Sequence, residues 1–438
     1  MKLSFSSPFT RLTFAAMLAT FAATVAGRLV TLCRAAADCV GWPLCAPVDR
    51  LDWLALGHRL TVGLAIGMML WLLRTAWRHY REESVLLPLT TVVTTLYFGQ
   101  ALIGATQVST GYPLHLRVLH ALTAVSLWIG LAALAYVSVA RAPTPRDYPA
   151  VGFRPRFKDF LTLTKPVVVL LLLATTITVL VAGWGGWPPF NLVLWTLLGG
   201  ALAAGGSSAL NQFIDRDLDR NMQRTEKRPL PAGRMFPAEG LAFALALCLA
   251  SYYVLASLVN FVAAMLSLAG IIYYVWIYSL WLKKATVQNI VIGGGAGAIP
   301  PMVGWAAATG RIDLVSVLLF ALVFFWTPPH FWALAIVRKN DYARAGVPML
   351  PVVRGEAVTR RQIWLYTLEL VAVSLLLPLF QLSGTIYLVS ALVLGLWMIW
   401  GAWRVWKKEG NKVAWQMYRW TSMYLLFIFI AFMVDAMV

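Results

Sequence analysis

Charge is what this chain of 438 residues lacks: Asp, Glu, Lys and Arg make up 12% of it against 60% hydrophobic residues, and the mean hydropathy is +0.73. An ordinary soluble domain is excluded, since too few polar side chains remain to cover one. Short-period repeats and low-complexity tracts are absent too, which excludes a repeat array. No polar stretch is long enough to leave a soluble domain between the apolar ones.

What the chain has is thirteen apolar runs, near 11–32, 53–76, 86–108, 115–140, 166–183, 191–213, 238–258, 261–282, 289–309, 313–337, 363–380, 384–404 and 415–437. Each is close to the roughly 20 residues a helix needs to cross the hydrocarbon core. The expected fold class is therefore all-α, a polytopic membrane protein of about 13 transmembrane helices. The run at 11–32 also reads as a cleaved signal peptide, since Ala35, Ala36 and Ala37 follow it.

A net charge of +18 reports orientation in such a chain. With the N-terminus inside, 29 of the 36 Lys and Arg fall in inward segments, and only Arg28, Arg34, Arg50, Arg59, Arg117, Arg311 and Arg419 fall elsewhere. That asymmetry places the chain in the cell (inner) membrane with its long basic loops in the cytoplasm, and a nucleic-acid partner is not needed to explain the charge. The polar segment 141–165 separates four spans from nine, so the expected domains are 1–145 and 146–438.

Two long inward loops, 214–237 and 338–362, hold most of the concentrated opposite charge. At the first, SSALNQFIDRDLDRNMQRTEKRPLPAGR places Asn211, Asp215 and Asp219 at i, i+4 and i+8, on one helical face. With Asp217, three carboxylates crowd within five residues, an arrangement unfavourable without cations. Oxygen ligands of this kind suit Mg²⁺ shared with a diphosphate, and Arg220, Arg224, Lys227, Arg228 and Arg234 follow as phosphate donors. Loop charges pairing with one another at headgroup level are the plainer alternative.

NQFIDRDLDRNMQRTEKRPL resembles the signature of the intramembrane aromatic prenyltransferase superfamily, in its protohaem farnesyltransferase (haem O synthase) branch. Lys165-Pro166, YSLWLKKATVQNIVIGGGAGAIPPMVGW at 278–305 and TPPHFWALAIVRKNDYARAGVPMLPVV at 327–353 match in the same order, so the resemblance covers about 158–438. It implies a nine-helix bundle in which Asn211, Asp215 and Asp219 hold Mg²⁺ and diphosphate, Asp341 serves as a second acidic site, and Lys283, Lys284, Arg220, Lys227 and Arg228 bind phosphate. Asp341 is followed by Tyr342 where many relatives pair two acids, a departure at the second site. The implied substrates are farnesyl diphosphate and protohaem (haem B), with membrane lipid around them and haem A synthase or a second copy of the chain as candidate protein partners. His330, beside Phe331 and Trp332, reads either as a haem contact or as a hydrogen-bonded packing residue, and Gly293, Gly294, Gly295 and Gly297 as small residues that let helices approach.

The first four spans differ. GRLVTLCRAAADCVGWPLCAPVDRLDWLALGHRL, Gln100 and HLRVLHAL at 115–122 resemble one four-helix half of haem A synthase. His58 and His120 lie at equal depth on antiparallel spans, about 8 to 9 Å in, and are the candidate ligands of a bound haem. His79 reads as solvated and His115 sits nearer the outer interface. The resemblance also implies a disulfide between Cys39 and Cys45 in an outer loop, leaving Cys33 unpaired and Cys248 as a buried hydrophobe. Only half of the eight-helix enzyme is present, and Ala55 stands where the family has an acid, which puts haem oxidation by this module in doubt. The competing functions are prenyl transfer to a quinone precursor, electron transfer by a membrane cytochrome, and transport.

Overall fold

A computed structural model describes residues 7–33, 46–141, 144–149 and 151–438, with the Lys284 side chain left out. The described residues are helical, without strands, and thirteen helices are long and apolar enough to cross a membrane. In chain order they are α1 (Pro8–Leu32), α2 (Arg50–His79), α3 (Leu86–Thr110) and α4 (Leu114–Arg141), then a short amphipathic helix α5 (Phe153–Thr164), then α6 (Pro166–Trp184) and α7 (Phe190–Ile214). The remainder are α8 (Pro237–Leu258), α9 (Phe261–Leu282), α10 (Asn289–Thr309), α11 (Leu314–Val337), α12 (Gly355–Leu379), α13 (Thr385–Lys407) and α14 (Asn411–Asp435).

Each apolar run read from the sequence has its helix, because hydrocarbon leaves the backbone no alternative to internal hydrogen bonds. The ends are set by polar residues. Asp49 caps α2 in a box with Asp52, Asp313 caps α11 in a box with Ser316, and the Asn260 side chain accepts from Ala263 N–H to start α9. α12 begins eight residues before the apolar run at 363 does, since its first two turns are a polar extension in which Arg360 bonds Glu409 at 2.7 Å.

α5 lies in the segment read as a plain polar linker. Pro155 is acceptable in a first helical turn, and Phe153, Phe157 and Leu161 recur at i, i+4 and i+8, all exposed. Twelve residues were too few to register as a span, so the pattern was legible only as amphipathicity.

The chain divides into two compact units. The first is Met1–Phe160 with Met235–Ser257, the second Leu161–Arg234 with Leu258–Val438. In the first, α1 to α4 form an up-down bundle, and α8 joins them: the Tyr253 ring lies where a Cβ on Gly99 of α3 would come within 2.4 Å, and its hydroxyl is 3.2 Å from that of Thr123. In the second, α10 packs on α6 and α11, and α11 packs on α12 and α14 around a core that includes Leu319, Trp332, Ile363, Tyr387 and Tyr424. α6 and α10 touch through backbone: a Cβ on Gly304 would stand 2.4 Å from the Thr176 carbonyl oxygen, so glycine is required for that contact. Proline pairs lie inside α10 (Pro300, Pro301) and α11 (Pro328, Pro329), the class of interruption that neighbouring helices make tolerable in lipid.

Candidate active site

α7 ends at Ile214, yet the helical spacing runs on. Asp215 N–H donates to Asn211 O at 2.9 Å and Asp219 N–H to Asp215 O at 2.8 Å, so Asn211, Asp215 and Asp219 keep one face. All three are buried, at 4%, 1% and 3% exposure, which is what makes their charge a problem to be solved. Asp217, on the other side of the turn, is exposed and pairs with Arg220 at 3.4 Å.

Cations arrive from three separate segments. Lys283, following α9, donates to Asp215 Oδ2. Arg228 Nη1 donates to Asp219 Oδ2 at 2.7 Å, and Thr225 Oγ1 holds the Asp219 carbonyl at 3.0 Å. Lys165 Nζ, preceding α6, donates to Asn211 Oδ1 at 3.1 Å, while the Asn211 amide donates to Asp215 Oδ2 at 2.6 Å and to Ser279 Oγ at 3.1 Å. Desolvation, then the nearby Arg228 and Lys283 cations, push the Lys165 ammonium down to about 7. Three cations thus face two carboxylates, and the buried Asp215 Oδ1 has no hydrogen-bond partner. A metal ion is one species that would complete such an oxygen, and two carboxylates with an amide fit one that takes its other ligands from a diphosphate.

The wall beside this cluster comes from the last ten residues of α9, Tyr273–Leu282, which are π-helical. The wider turn lets Ser279 Oγ donate to Tyr274 O at 2.9 Å while accepting from Asn211, and it stacks Tyr274 on Tyr278 with centroids 5.6 Å apart. The glycine run of α10 makes room for it: a Cβ on Gly293 would be 2.3 Å from the Tyr278 ring, and on Gly295 3.0 Å from the Tyr273 hydroxyl. Gly293, Gly294 and Gly295 therefore act through close approach, as the sequence implies, whereas a Cβ on Gly297 would meet nothing within 4 Å.

The loop after α11 reaches the loop after α7 through Arg224, which hydrogen-bonds the Tyr342 hydroxyl. Burial raises the Tyr342 phenol, and Arg224 opposes the shift. Asp341 itself is half-buried with Arg338 at 4.0 Å, and no group of three His, Cys, Asp or Glu residues is close enough to hold a metal among the described residues. Arg220 and Lys227 are exposed on the loop. The Lys284 side chain, Cys39 and Cys45 lie outside the described residues. His330 is buried, hydrogen-bonded through Nδ1 to Thr421 Oγ1 at 2.8 Å and stacked between Trp326 and Tyr418 at 4.3 and 4.4 Å.

In the first unit, His58 on α2 and His120 on α4 lie within electrostatic reach of each other. His58 Nδ1 is 3.0 Å from Ala23 O, and its ring fills the space a Cβ on Gly27 would need, at 2.7 Å. His120 sits beside the Gln100 backbone and the flank of Gly104, yet its Nδ1 and the Gln100 Oε1 are buried without hydrogen-bond partners.

Lys165, Ser279 and Tyr274 are the site residues that reading the sequence for chemistry passed over. Lys165 has φ 50°, a left-handed conformation rare for a side-chain-bearing residue, which turns its chain from α5 toward Asn211. Its only signal was its place in the Lys-Pro pair before α6.

The UbiA prenyltransferase family matches residues 172–430. A protoheme IX farnesyltransferase of Roseiflexus castenholzii is 41% identical over 97% of this chain and 83% of its own length. One of Gloeobacter violaceus is 50% identical over 64% of this chain and 92% of its own. Among solved structures, a digeranylgeranylglyceryl phosphate synthase aligns with a TM-score of 0.56 at 17% identity, covering 65% of this chain and 99% of that one, a likeness of fold.

The charge cluster carries a stability prediction that needs no substrate. Lys283→Met leaves the Asp215 carboxylate buried beside one fewer cation and should cost about 3 kcal/mol of stability. Adding Asp215→Leu should restore most of the loss, read as thermal unfolding of the purified protein in detergent. A single variant as stable as the native chain would show that the pair does not hold the cluster together.

Proposed function

The chain belongs to the UbiA prenyltransferase family and is a multi-pass membrane prenyltransferase; on that premise we propose that it transfers the farnesyl group of farnesyl diphosphate to a vinyl group of protohaem, making haem O for the haem A of cytochrome oxidase. The observation that carries this reading is the buried Asp215–Asp219 pair with its excess of cations and its one unpartnered oxygen. The acceptor comes from the relatives named protoheme IX farnesyltransferase, two of which match the chain nearly end to end.

Asn211, Asp215 and Asp219 would hold Mg²⁺, with Asp341 contributing from the second loop. The ion, when bound, supplies positive charge to the diphosphate oxygens as negative charge grows on them. Lys283, Arg228 and Lys165 stand around the same carboxylates and bind the diphosphate, helped by Arg220, Arg224, Lys227 and Lys284 from the loops. As the bond from farnesyl C1 to diphosphate oxygen breaks, these cations take up the charge. Tyr274 and Tyr278, stacked beside the carboxylates, would stabilise the electron-poor C1 through their ring faces. The terminal carbon of the vinyl group bonds to C1, and water adds to the carbon next to the porphyrin and loses a proton, which leaves the hydroxyethylfarnesyl group.

By likeness, residues 1–145 would be the haem A synthase-like module and 146–438 the transferase domain, a division that differs from the two compact units in that α8 belongs with the first of them. The transferase loops lie on the cytoplasmic side of the inner membrane. In the module His58 and His120 would hold a haem. The Nδ1 contact to Ala23 O leaves His58 Nε2 as the free lone pair, and the orphaned His120 nitrogen supports a site that is complete only with a ligand. Of the two readings of His330 the packing one is favoured, since its ring is stacked on both faces and hydrogen-bonded to Thr421. Haem A synthase and a second copy of the chain are its proposed partners.

Purified protein supplied with protohaem, farnesyl diphosphate and Mg²⁺ should form haem O, and Asp215→Ala or Asp219→Ala should each lower kcat by at least about a hundredfold. Equal turnover in excess chelator, or near-native turnover in either variant, would remove the metal–diphosphate assignment. Prenylation of a quinone precursor and not of haem would move the chain to another branch of the family.

The full-length protein reconstituted with haem should show a low-spin, bis-histidine spectrum that the His58→Ala/His120→Ala double variant loses. An unchanged spectrum in that variant contradicts the module's haem site.

A further inference from the structure

The first unit holds a knot of buried charge of its own, and the transfer reaction does not use it. Glu239, in the first turn of α8, is 0% exposed. Its carboxylate is met by Arg81 Nε at 2.6 Å and by an Arg156 guanidinium nitrogen. The two arginines come from distant places: Arg81 from the inner turn between α2 and α3, Arg156 from α5. Desolvation, then the Arg81 charge, lower the Arg156 guanidinium to about 10.

The other Glu239 oxygen accepts the Phe236 N–H at 2.9 Å. Arg81 also lies 5.9 Å from the centroid of the Phe236 ring and 5.3 Å from that of Tyr148, and those two rings meet edge-on at 5.5 Å. Phe236 is therefore fixed through both its backbone and its ring. Farther along α8, Tyr253 is seated on Gly99 and Thr123, so the first four spans hold this helix at two levels. Phe236 follows Arg234 by two residues and closes the basic loop that began at Asp219.

We infer that Arg81 is a positioning residue for prenyl transfer: through Glu239 and Phe236 it fixes the exit of the diphosphate-binding loop, so that diphosphate binding depends on the N-terminal helices. The inference rests on the transferase reading above. A loop with both ends fixed loses less freedom when its arginines close on an anion, and that saving appears as affinity. Arg81 touches neither the carboxylates nor the tyrosine stack, so its loss weakens binding and leaves the chemical step alone. Glu239 keeps Arg156 when Arg81 is removed, which spares the fold an unpaired buried carboxylate.

The test uses full-length Arg81→Met and Arg81→Lys. In Arg81→Met the KM for farnesyl diphosphate should rise roughly tenfold with kcat within about twofold. Amide exchange at 226–236 should quicken while exchange in the spans stays as it was. Arg81→Lys, which keeps the charge without the fork, should recover part of both effects, and it is read in the same way if Arg81→Met does not accumulate. An unchanged KM in an active enzyme overturns the inference whatever the exchange shows. If the native chain transfers no farnesyl group at all, exchange alone decides: faster exchange in Arg81→Met keeps the clamp and sinks only the transferase reading, and unchanged exchange overturns the clamp.

Discussion

Two carboxylates buried at the end of a membrane helix set the terms for the rest of the transferase unit. Taking an ion out of water costs several kcal/mol even after relaxation, so Asp215 and Asp219 persist only if cations are brought to them. The chain does this from three directions, with Lys283 from the end of α9, Arg228 from the loop after α7 and Lys165 from the start of α6. Each delivery requires an irregularity. The π-helical end of α9 aims Ser279 and the tyrosine stack, Lys165 takes a left-handed backbone, and the α10 glycines leave room for Tyr273 and Tyr278. Irregular backbone at membrane depth is tolerated where protein surrounds it, and here it collects at the site.

The cations outnumber the carboxylates they face, and Asp215 Oδ1 remains without a partner. A purely structural ion-pair knot would be expected to balance its charge and satisfy its oxygens. The surplus is what an anionic ligand needs, and the orphaned oxygen is what a divalent cation needs; the two together describe a metal–diphosphate site better than either does alone. The Glu239 knot also sets two cations against one carboxylate and leaves Arg156 Nη1 without a partner, but both of its carboxylate oxygens are engaged, which leaves no acidic oxygen for a metal ion.

Much of this was legible in the amino-acid sequence, and the physical reasons are uneven. Hydropathy marks a membrane span strongly because lipid permits few alternatives, so all thirteen helices were found, with ends a few residues adrift except at the polar start of α12, which lies eight residues earlier. The spacing of Asn211, Asp215 and Asp219 survives into the structure because backbone hydrogen bonds carry it past the helix end. Lys165, Ser279 and Tyr274 were not found as chemistry. A π-helical register is set by neighbours in space, and the left-handed Lys165 breaks the extended preference of a residue before proline. Arg81 and Glu239 were hidden for a related reason, since 158 positions separate them and no local pattern pairs them.

The most direct test is calorimetric titration of a non-reacting farnesyl thiodiphosphate into the full-length protein, with and without Mg²⁺, for the native chain and for Asp215→Asn. The account predicts Mg²⁺-dependent binding that the variant weakens by at least about tenfold, because the substitution removes the charge that draws the ion to the unpartnered oxygen. Binding of equal strength in all four combinations would contradict it, and the buried carboxylates would then be structural.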